Sequence, residues 1–318
     1  MFIADRNKMT YMTKLLDIVI CTYNRQYYLA ECLRSLLVCE VPENILVRIL
    51  IVDNNSNDGT KEIIDKFEQT ETVKVLYLFE NKQGKSHALN KALDNLEGDF
   101  VAFTDDDITV DRRWVMNMIS AFNRYPERSC FGGRVVGVYP KELPRWLRLD
   151  GKMKFVRTML ADVDGGESDR DYGTGSAPGG NMFFRRQALV QNGYFRSDLG
   201  PVRDHLGFSE DVEFGQRFVK RGERFQYIAD AVVYHPIHPE RLEKKYLCRW
   251  QYSCAKSEVI REIGYKNCRM VGKLPVYLIR KLIYHALSRI FMPIPTERFF
   301  HRLKLSYTLG EIAAHLQL

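Results

Sequence analysis

The chain has 318 residues, of which 45% are hydrophobic and 27% are charged. This composition is typical of a folded globular protein and excludes a disordered or fibrous one. The net charge of +7 is uneven, because residues 241–318 hold 15 Lys and Arg against 5 Asp and Glu, whereas residues 1–240 hold 32 against 35. A mildly acidic body therefore precedes a basic tail, which indicates contact with an anionic surface, either lipid or nucleic acid.

Seven cysteines without a CxxC pair are typical of a reducing compartment and not of a disulfide scaffold or a zinc module. Residues 1–14 lack a continuous apolar core, so we expect no signal peptide. Both features predict a cytoplasmic location.

Short apolar runs alternate with amphipathic segments over the first hundred residues. They predict four strands, at residues 16–21, 47–52, 73–78 and 100–104. The segments between them have helical spacing, and the second and third helices begin near Thr60 and Gly84. This alternation predicts an α/β fold with a mostly parallel, Rossmann-like sheet and flanking helices.

Beyond a predicted helix at residues 114–124 the alternation breaks. Further predicted elements are strands at 131–139 and 182–184, helices from Arg186 and Ser209, and a strand pair at 225–228 and 231–234. Residues 140–178 and 194–208 are predicted loops, and loops of this length inside a compact domain are usually functional.

Residues 241–318 differ from the body in being helical, basic and aromatic. Within 273–292, basic side chains interrupt an apolar helix on roughly one face. It carries too many charges for a membrane-spanning helix. It fits an interfacial helix on an anionic bilayer, and also a helix packed on the body with its basic face outward. We therefore predict two units, 15–240 and a C-terminal extension, 241–318.

Polar residues crowd the predicted carboxyl ends of the strands, the edge where open α/β sheets bind ligands. Three consecutive carboxylates, Asp105, Asp106 and Asp107, follow the fourth strand. Such charge needs a cation or hydrogen-bond donors, and hard oxygen ligands suit Mg²⁺ or Mn²⁺ bridging to phosphate. The alternative is an acidic turn before the next helix.

Four further motifs accompany these carboxylates in a fixed order. They are Thr22-Tyr23-Asn24-Arg25 after the first strand, Asp53 after the second, Glu210-Asp211 at a helix start after the Gly179-Gly180-Asn181 turn, and His235 at the last strand. Over residues 15–240, this order and spacing resembles the family 2 glycosyltransferases with the GT-A fold.

The resemblance implies an inverting glycosyltransferase. Such an enzyme would move a sugar from a nucleotide-sugar donor, expected to be a UDP-sugar, to a hydroxyl of a glycan or lipid-linked acceptor. Cell-surface polysaccharide biosynthesis on the inner face of the membrane would suit the basic tail. Residues 140–178 and 194–208 would then set acceptor specificity, and Trp146 would either stack on an acceptor sugar or cover the core.

The resemblance also assigns roles on the donor side. Thr22 and Asn24 would line the base pocket, with Tyr23 in the same nucleotide-binding motif and Arg25 close to phosphate, and Asp53 would accept a hydrogen bond from a uracil imide. Asp105 is expected near the ribose or the metal, Asp107 on the Mg²⁺ or Mn²⁺ ion, and Asp106 in the same nucleotide-binding turn. Lys85, at a helix start, would meet an anion. The alternatives are ordinary strand-end turns for Asp53, Thr22 and Asn24, and a solvated side chain for Lys85.

On the acceptor side, the resemblance makes Asp211 the general base and lets Glu210 orient the acceptor or a loop. Both acids would otherwise simply cap their helix. His235 is a candidate metal ligand, and His238 competes with it.

Two other functions are alternatives to a glycosyltransferase. A sugar-phosphate nucleotidylyltransferase would have a Gly-rich loop after the first strand, and residues 21–25 contain no glycine. A non-catalytic membrane- or RNA-binding module would leave the carboxylates unexplained, and we expect no nucleic-acid partner.

Overall fold

A computed structural model describes residues 13–67, 70, 72–203, 206–262 and 269–317. The segment that predicts the absence of a signal peptide therefore lies, up to residue 12, outside the described residues. So do Cys268 and residues 204 and 205 of the second predicted loop.

Nine of the described strands form one sheet. They are Lys14–Thr22 (β1), Ile45–Asp53 (β2), Val73–Phe79 (β3), Phe100–Asp105 (β4), Thr109–Val110 (β5), Cys130–Val138 (β6), Arg170–Asp171 (β7), Asn181–Arg185 (β8) and Phe225–Pro236 (β9). Their order in the sheet is β3-β2-β1-β4-β8-β6-β9-β5, with β7 pairing to β9. Strands β1 to β4 run parallel to one another, while β8 is antiparallel to both of its neighbours.

Helices cover both faces of the sheet, because alternate strand residues point to opposite sides. The helices of the body are Gln26–Leu37 (α1), Thr60–Asp65 (α2), Lys85–Leu93 (α3), Trp114–Arg124 (α4), Val156–Met159 (α5), Arg186–Asn192 (α6) and Glu210–Lys220 (α7). In β1, Ile18 packs into the core beneath α1, α2 and α4, whereas Val19 packs into the core beneath α3, α6 and α7. The predicted α/β class and mostly parallel sheet are confirmed.

The strand pair predicted at 225–228 and 231–234 is wrong, since β9 is a single strand. Its pairing with β6 jumps from Gly133 opposite Ile228 to Arg134 opposite Val232, so residues 229–231 bulge out. The buried Asn181 side chain donates to the carbonyls of Arg134 (3.0 Å) and Ala231 (2.8 Å) and satisfies backbone groups at this irregularity.

The first long predicted loop, 140–178, contains short regular elements. These are a 3-10 turn at Gly151–Met153, α5 and β7. Apolar side chains of residues 147–160, among them Leu147 and Val156, join a third core cluster that also includes Leu247 and Leu303. The C-terminal extension therefore shares a core with the body.

The extension comprises Lys244–Arg261 (α8), the two-stranded hairpin Met270–Val271 (β10) and Leu274–Pro275 (β11), Val276–Phe291 (α9) and Pro295–Gln317 (α10). Trp146 packs edge-on against Phe299 of α10, with a centroid distance of 4.8 Å, so it contributes to the core. No helix among the described residues is long and apolar enough to cross a bilayer.

Only part of the predicted polar face of α9 points outward. Lys281 pairs with Glu311 of α10 at 3.1 Å, and the Nδ1 atoms of His285 and His301 lie 3.0 Å apart. The exposed side chains of the helix and its end are mainly apolar: Ile283, Tyr284, Leu287, Ile290, Phe291 and Ile294.

Candidate active site

The sequence motifs meet at the carboxyl edge of the parallel strands because their registers align. Thr22 of β1 lies opposite Asp53 of β2, and Cys21 lies opposite Asp105 of β4. Three strand ends, from separate parts of the chain, therefore present their polar residues side by side, as an open α/β sheet requires of a ligand site.

The loops after β1 and β2 are tied together by the predicted base-pocket residues. Asn24 adopts a left-handed conformation (φ 51°), receives a hydrogen bond from Asn57 N–H at 2.8 Å and donates its own N–H to Ser56 Oγ at 2.9 Å. Asp53 is buried and accepts from Ser56 N–H at 2.9 Å and from the Tyr77 hydroxyl at 3.1 Å. Burial and the Asp53 charge raise the pKa of Tyr77 to about 12, so Tyr77 stays a donor.

Lys85 joins the first carboxylate of the triplet to the acids of α7. Its Nζ lies 2.5 Å from Asp105 Oδ1 and 3.8 Å from Glu210 Oε1. Burial opposes the charge of this lysine, but the two acids outweigh burial and raise its pKa above the usual value. Burial and the charge of Asp211 raise the pKa of Glu210 to about 7, although Lys85 acts in the opposite direction.

Asp211 approaches the same place from the start of α7. Its Oδ2 accepts the Gly179 N–H at 2.9 Å, and a Cβ on Gly179 would lie only 2.9 Å from that oxygen. The close approach requires glycine here. One small cleft, open to solvent, is lined by Asp105, Lys85, Glu210 and Asp211.

The second and third carboxylates are buried and face guanidinium groups. Arg25 Nη1 lies 2.9 Å from Asp106 Oδ1 and 3.1 Å from Asp107 Oδ2. Arg241 Nη2 lies 2.8 Å from the same Asp107 oxygen, and Arg241 Nη1 lies 3.0 Å from His235 Nε2. His235 Nε2 lies 3.7 Å from Asp107 Oδ1, so the histidine and this carboxylate are neighbours.

These contacts separate the acidities of the two carboxyls. Burial raises the pKa of both, but Arg25, His235 and Arg241 facing Asp107 outweigh burial and hold its pKa below the usual range. For Asp106, burial and the negative charge of Asp107 outweigh Arg25, so its pKa is raised. Burial lowers the pKa of His235, which keeps the imidazole neutral and able to ligate a metal.

The donor atoms near Asp107 suit a divalent cation that is completed by a substrate. Among the described residues no group of three or more His, Cys, Asp or Glu is arranged around one point. A carboxylate and a neutral imidazole are nevertheless adequate for Mg²⁺ or Mn²⁺ when phosphate oxygens supply further ligands. Asp105 is turned to Lys85 instead, and His238 lies against the Tyr28 ring at 4.8 Å.

Sequence reasoning missed two residues of this arrangement, Tyr77 and Arg241. Tyr77 lies within an apolar strand and reads as core. Arg241 stands in a 3-10 turn, Pro239–Leu242, at the first position of the predicted extension, where it reads as one of many tail cations. In the sequence, only the position of Arg241 six residues after His235 could have indicated that it lies near the site.

A three-layer α/β fold with carboxylates and cations gathered at its strand ends defines a glycosyltransferase of the GT-A type. The chain belongs to glycosyltransferase family 2: the family model "Glycosyl transferase family 2" matches residues 17–192. The predicted enzyme class is therefore confirmed, and the nucleotidylyltransferase and non-catalytic alternatives are not supported.

Relatives and solved structures agree with this assignment. The succinoglycan biosynthesis protein ExoM of Rhizobium meliloti (strain 1021) is 35% identical over 238 residues, which are 74% of this chain and 72% of ExoM. Glycosyltransferase AglE of Haloferax volcanii is 25% identical, over 75% of this chain and 73% of AglE. The mannosyltransferase PcManGT from Pyrobaculum calidifontis, solved with GDP-Man and Mn²⁺, superposes with a TM-score of 0.57 at 18% identity, over 97% of this chain and 87% of that one.

Proposed function

We propose that this glycosyltransferase moves a sugar from a nucleotide-sugar donor, expected to be a UDP-sugar, to an acceptor hydroxyl with inversion at C1. The observation that carries the proposal is the common cleft of Asp105, Lys85 and Asp211. In this cleft the cation Lys85 and the ribose-binding candidate Asp105 lie beside Asp211, a carboxylate at a helix start. Donor binding needs the first two side chains, and removal of the acceptor proton needs the third.

In the reaction, the acceptor oxygen forms the new bond to C1 while the bond from C1 to the diphosphate oxygen breaks. Asp211 takes the acceptor proton, and the bonding electrons leave with the nucleoside diphosphate. Asp211 is fixed for this task by the N–H groups of Gly179 and Val212, at 2.9 and 2.8 Å. Glu210 lies beside Gly200 of the loop 194–208 and would position that loop against the acceptor.

The donor would lie along the strand ends. Asp53 would receive the imide N–H of uracil, with Thr22, Tyr23 and Asn24 around the base, and Asp105 would meet the ribose. Asp107 and His235 would hold Mg²⁺ or Mn²⁺, which offsets the negative charge of the diphosphate when it is bound. Asp106 and Arg25 would shape the phosphate side of this site, and Lys85 would add a positive charge to it.

The acceptor is expected to be a glycan or a lipid-linked intermediate of a cell-surface polysaccharide. The name of the relative ExoM, a succinoglycan biosynthesis protein, supports this assignment. A screen of UDP-, GDP- and dTDP-sugars with release of the nucleotide as the readout would identify the donor.

The C-terminal extension is proposed to rest on an anionic membrane surface at the inner face of the cell membrane. The exposed apolar side chains of α9 support this, since Phe291 is 76% and Ile290 69% exposed. Residues 269–296 contain five Lys and Arg and no Asp or Glu, so positive charge surrounds the apolar patch. Apolar burial together with a basic surround is what binds interfacial helices to anionic lipid.

The Asp211→Asn variant tests the catalytic proposal. It keeps the shape of the carboxyl but cannot accept the proton, so turnover should fall by about 10²–10⁴. Nucleotide affinity should remain within about twofold of the wild-type value. Glu167→Gln, an exposed acid in the body, is the matched control. Turnover near the wild-type rate in Asp211→Asn would refute the assignment of the base.

A further inference from the structure

The guanidinium of Arg241 bridges the two side chains that are the best candidates for the metal. Its Nη2 donates to Asp107 Oδ2 at 2.8 Å, and its Nη1 donates to His235 Nε2 at 3.0 Å. Arginine only donates, so the imidazole accepts at Nε2 and carries its proton on Nδ1. Nε2 is also the His235 nitrogen nearest to Asp107.

Asp107 Oδ2 is engaged a second time, by Arg25 at 3.1 Å. The buried pair Asp106 and Asp107 is thus met by two guanidinium groups, which neutralise it. A divalent ion entering alone would give this cluster an excess of two positive charges, and it would compete with Arg241 for the same atoms. A diphosphate arriving with the ion would restore neutrality.

We propose that Arg241 is a built-in counter-cation of the metal site, which must leave Asp107 and His235 before a metal ion can bind there. The inference rests on the proposed metal role of Asp107. Its consequence is that the metal alone binds weakly and that metal and nucleotide bind cooperatively. By linkage, each ligand then raises the affinity for the other by the same factor. Arg241 is a positioning residue in this scheme.

The test is a titration of the 318-residue chain with Mn²⁺ alone. The concentration of the free ion is measured at each step by electron paramagnetic resonance. Arg241→Gln removes the positive charge and the paired contacts with Asp107 and His235, so Mn²⁺ should bind about tenfold tighter or more. Arg241→Lys retains the charge but cannot bridge both side chains, so its affinity should lie between the two. Arg249→Gln, an exposed arginine of α8, is the control and should match the wild type.

A second measurement addresses cooperativity. The affinities for UDP and GDP are compared with and without Mn²⁺ by calorimetry, and the gain from Mn²⁺ should be smaller in Arg241→Gln than in the wild type. Circular dichroism and the unfolding midpoint establish that the variants are folded, and Arg241→Lys keeps the test usable should Arg241→Gln be unstable.

The Asp107→Asn variant distinguishes the two ways of failing. If Asp107→Asn weakens Mn²⁺ binding but Arg241→Gln and Arg241→Lys bind Mn²⁺ no tighter than the wild type, the metal role stands and the counter-cation role is overturned. If Asp107→Asn leaves Mn²⁺ binding unchanged, the metal assignment itself is wrong and the inference falls with it.

Discussion

Lys85 Nζ lies 2.5 Å from Asp105 Oδ1, so a cation at the start of α3 is held against the carboxylate that ends β4. The lysine is only 25% exposed, and its other acidic neighbour is Glu210. One side chain therefore contacts both the predicted donor side and the predicted acceptor side of the cleft.

We expect Lys85→Ala to weaken nucleotide binding roughly tenfold, about 1.4 kcal/mol, because the diphosphate would lose a cation and Asp105 would lose its partner. Calorimetric titration with UDP and GDP measures the effect. Lys91→Ala, in the last turn of the same helix, is the matched control. Equal affinities of Lys85→Ala and the wild type would show that the lysine serves the fold alone.

The raised pKa of Glu210, about 7 against a usual 4.5, predicts a pH-dependent stability. Between these two values the folded state binds more protons than the unfolded chain, so this group makes the protein less stable as the pH rises through that window. Glu210→Gln should therefore gain stability relative to the wild type at pH 8, by up to roughly 3 kcal/mol, and little at pH 5. Urea unfolding at the two pH values provides the comparison, and a difference independent of pH would contradict it.

Asp17 is buried in β1 and accepts four hydrogen bonds, two from the Arg48 guanidinium at 2.8 and 2.9 Å and one each from the N–H groups of Glu97 and Gly98 at 2.8 Å. Asp17→Ala leaves Arg48 with only Glu97 and the Asn95 carbonyl and leaves two backbone N–H groups without their acceptor. We therefore expect a loss of roughly 3–5 kcal/mol in the free energy of unfolding.

Asp65→Ala is the comparison for Asp17→Ala. It breaks the exposed pair with Lys61 and should cost roughly 0–1 kcal/mol. Chemical denaturation of both variants gives the two values, and similar losses would show that the Asp17 network contributes little.

The proposed membrane face of α9 predicts binding to vesicles that contain anionic lipid and none to vesicles of neutral phosphatidylcholine. The double change Ile290→Glu and Phe291→Glu adds two charges to the exposed apolar patch and should abolish binding in co-sedimentation. Val190→Glu, at an apolar side chain that is 73% exposed on α6, should bind like the wild type. Persistent binding of the double variant would place the contact elsewhere.

The sequence predicted the sheet well where local patterns decide the structure. The apolar runs of β1 to β4 are confirmed to within a few residues, because strands buried on both faces need such runs. It did worse where distant packing decides. The elements near Leu147 and Val156 form because they share a core with Leu247 and Leu303 of the extension, and no local sequence pattern predicts that contact.

The candidate site divides in the same way. Residues at strand ends, such as Asp53 and Asp105, are brought together by strand order, which the βαβ pattern predicts. Arg241 is positioned by the turn that follows β9, and its contact with Asp107 depends on how that turn folds back against β4, which no local pattern predicts. Similarly, the ion pair of Lys281 on α9 depends on Glu311, thirty residues further along the chain.

The irregularity in β9 has a consequence for the far end of that strand. Three extra residues lie between the pairs Gly133–Ile228 and Arg134–Val232, and this odd number inverts which side of the sheet every later side chain faces. A slip of the later pairing by one residue would turn His235 away from Asp107 and present a neighbour in its place. The position of the imidazole therefore depends on the register in which β9 resumes its pairing with β6 after the bulge, from Arg134 opposite Val232 to Gly137 opposite His235.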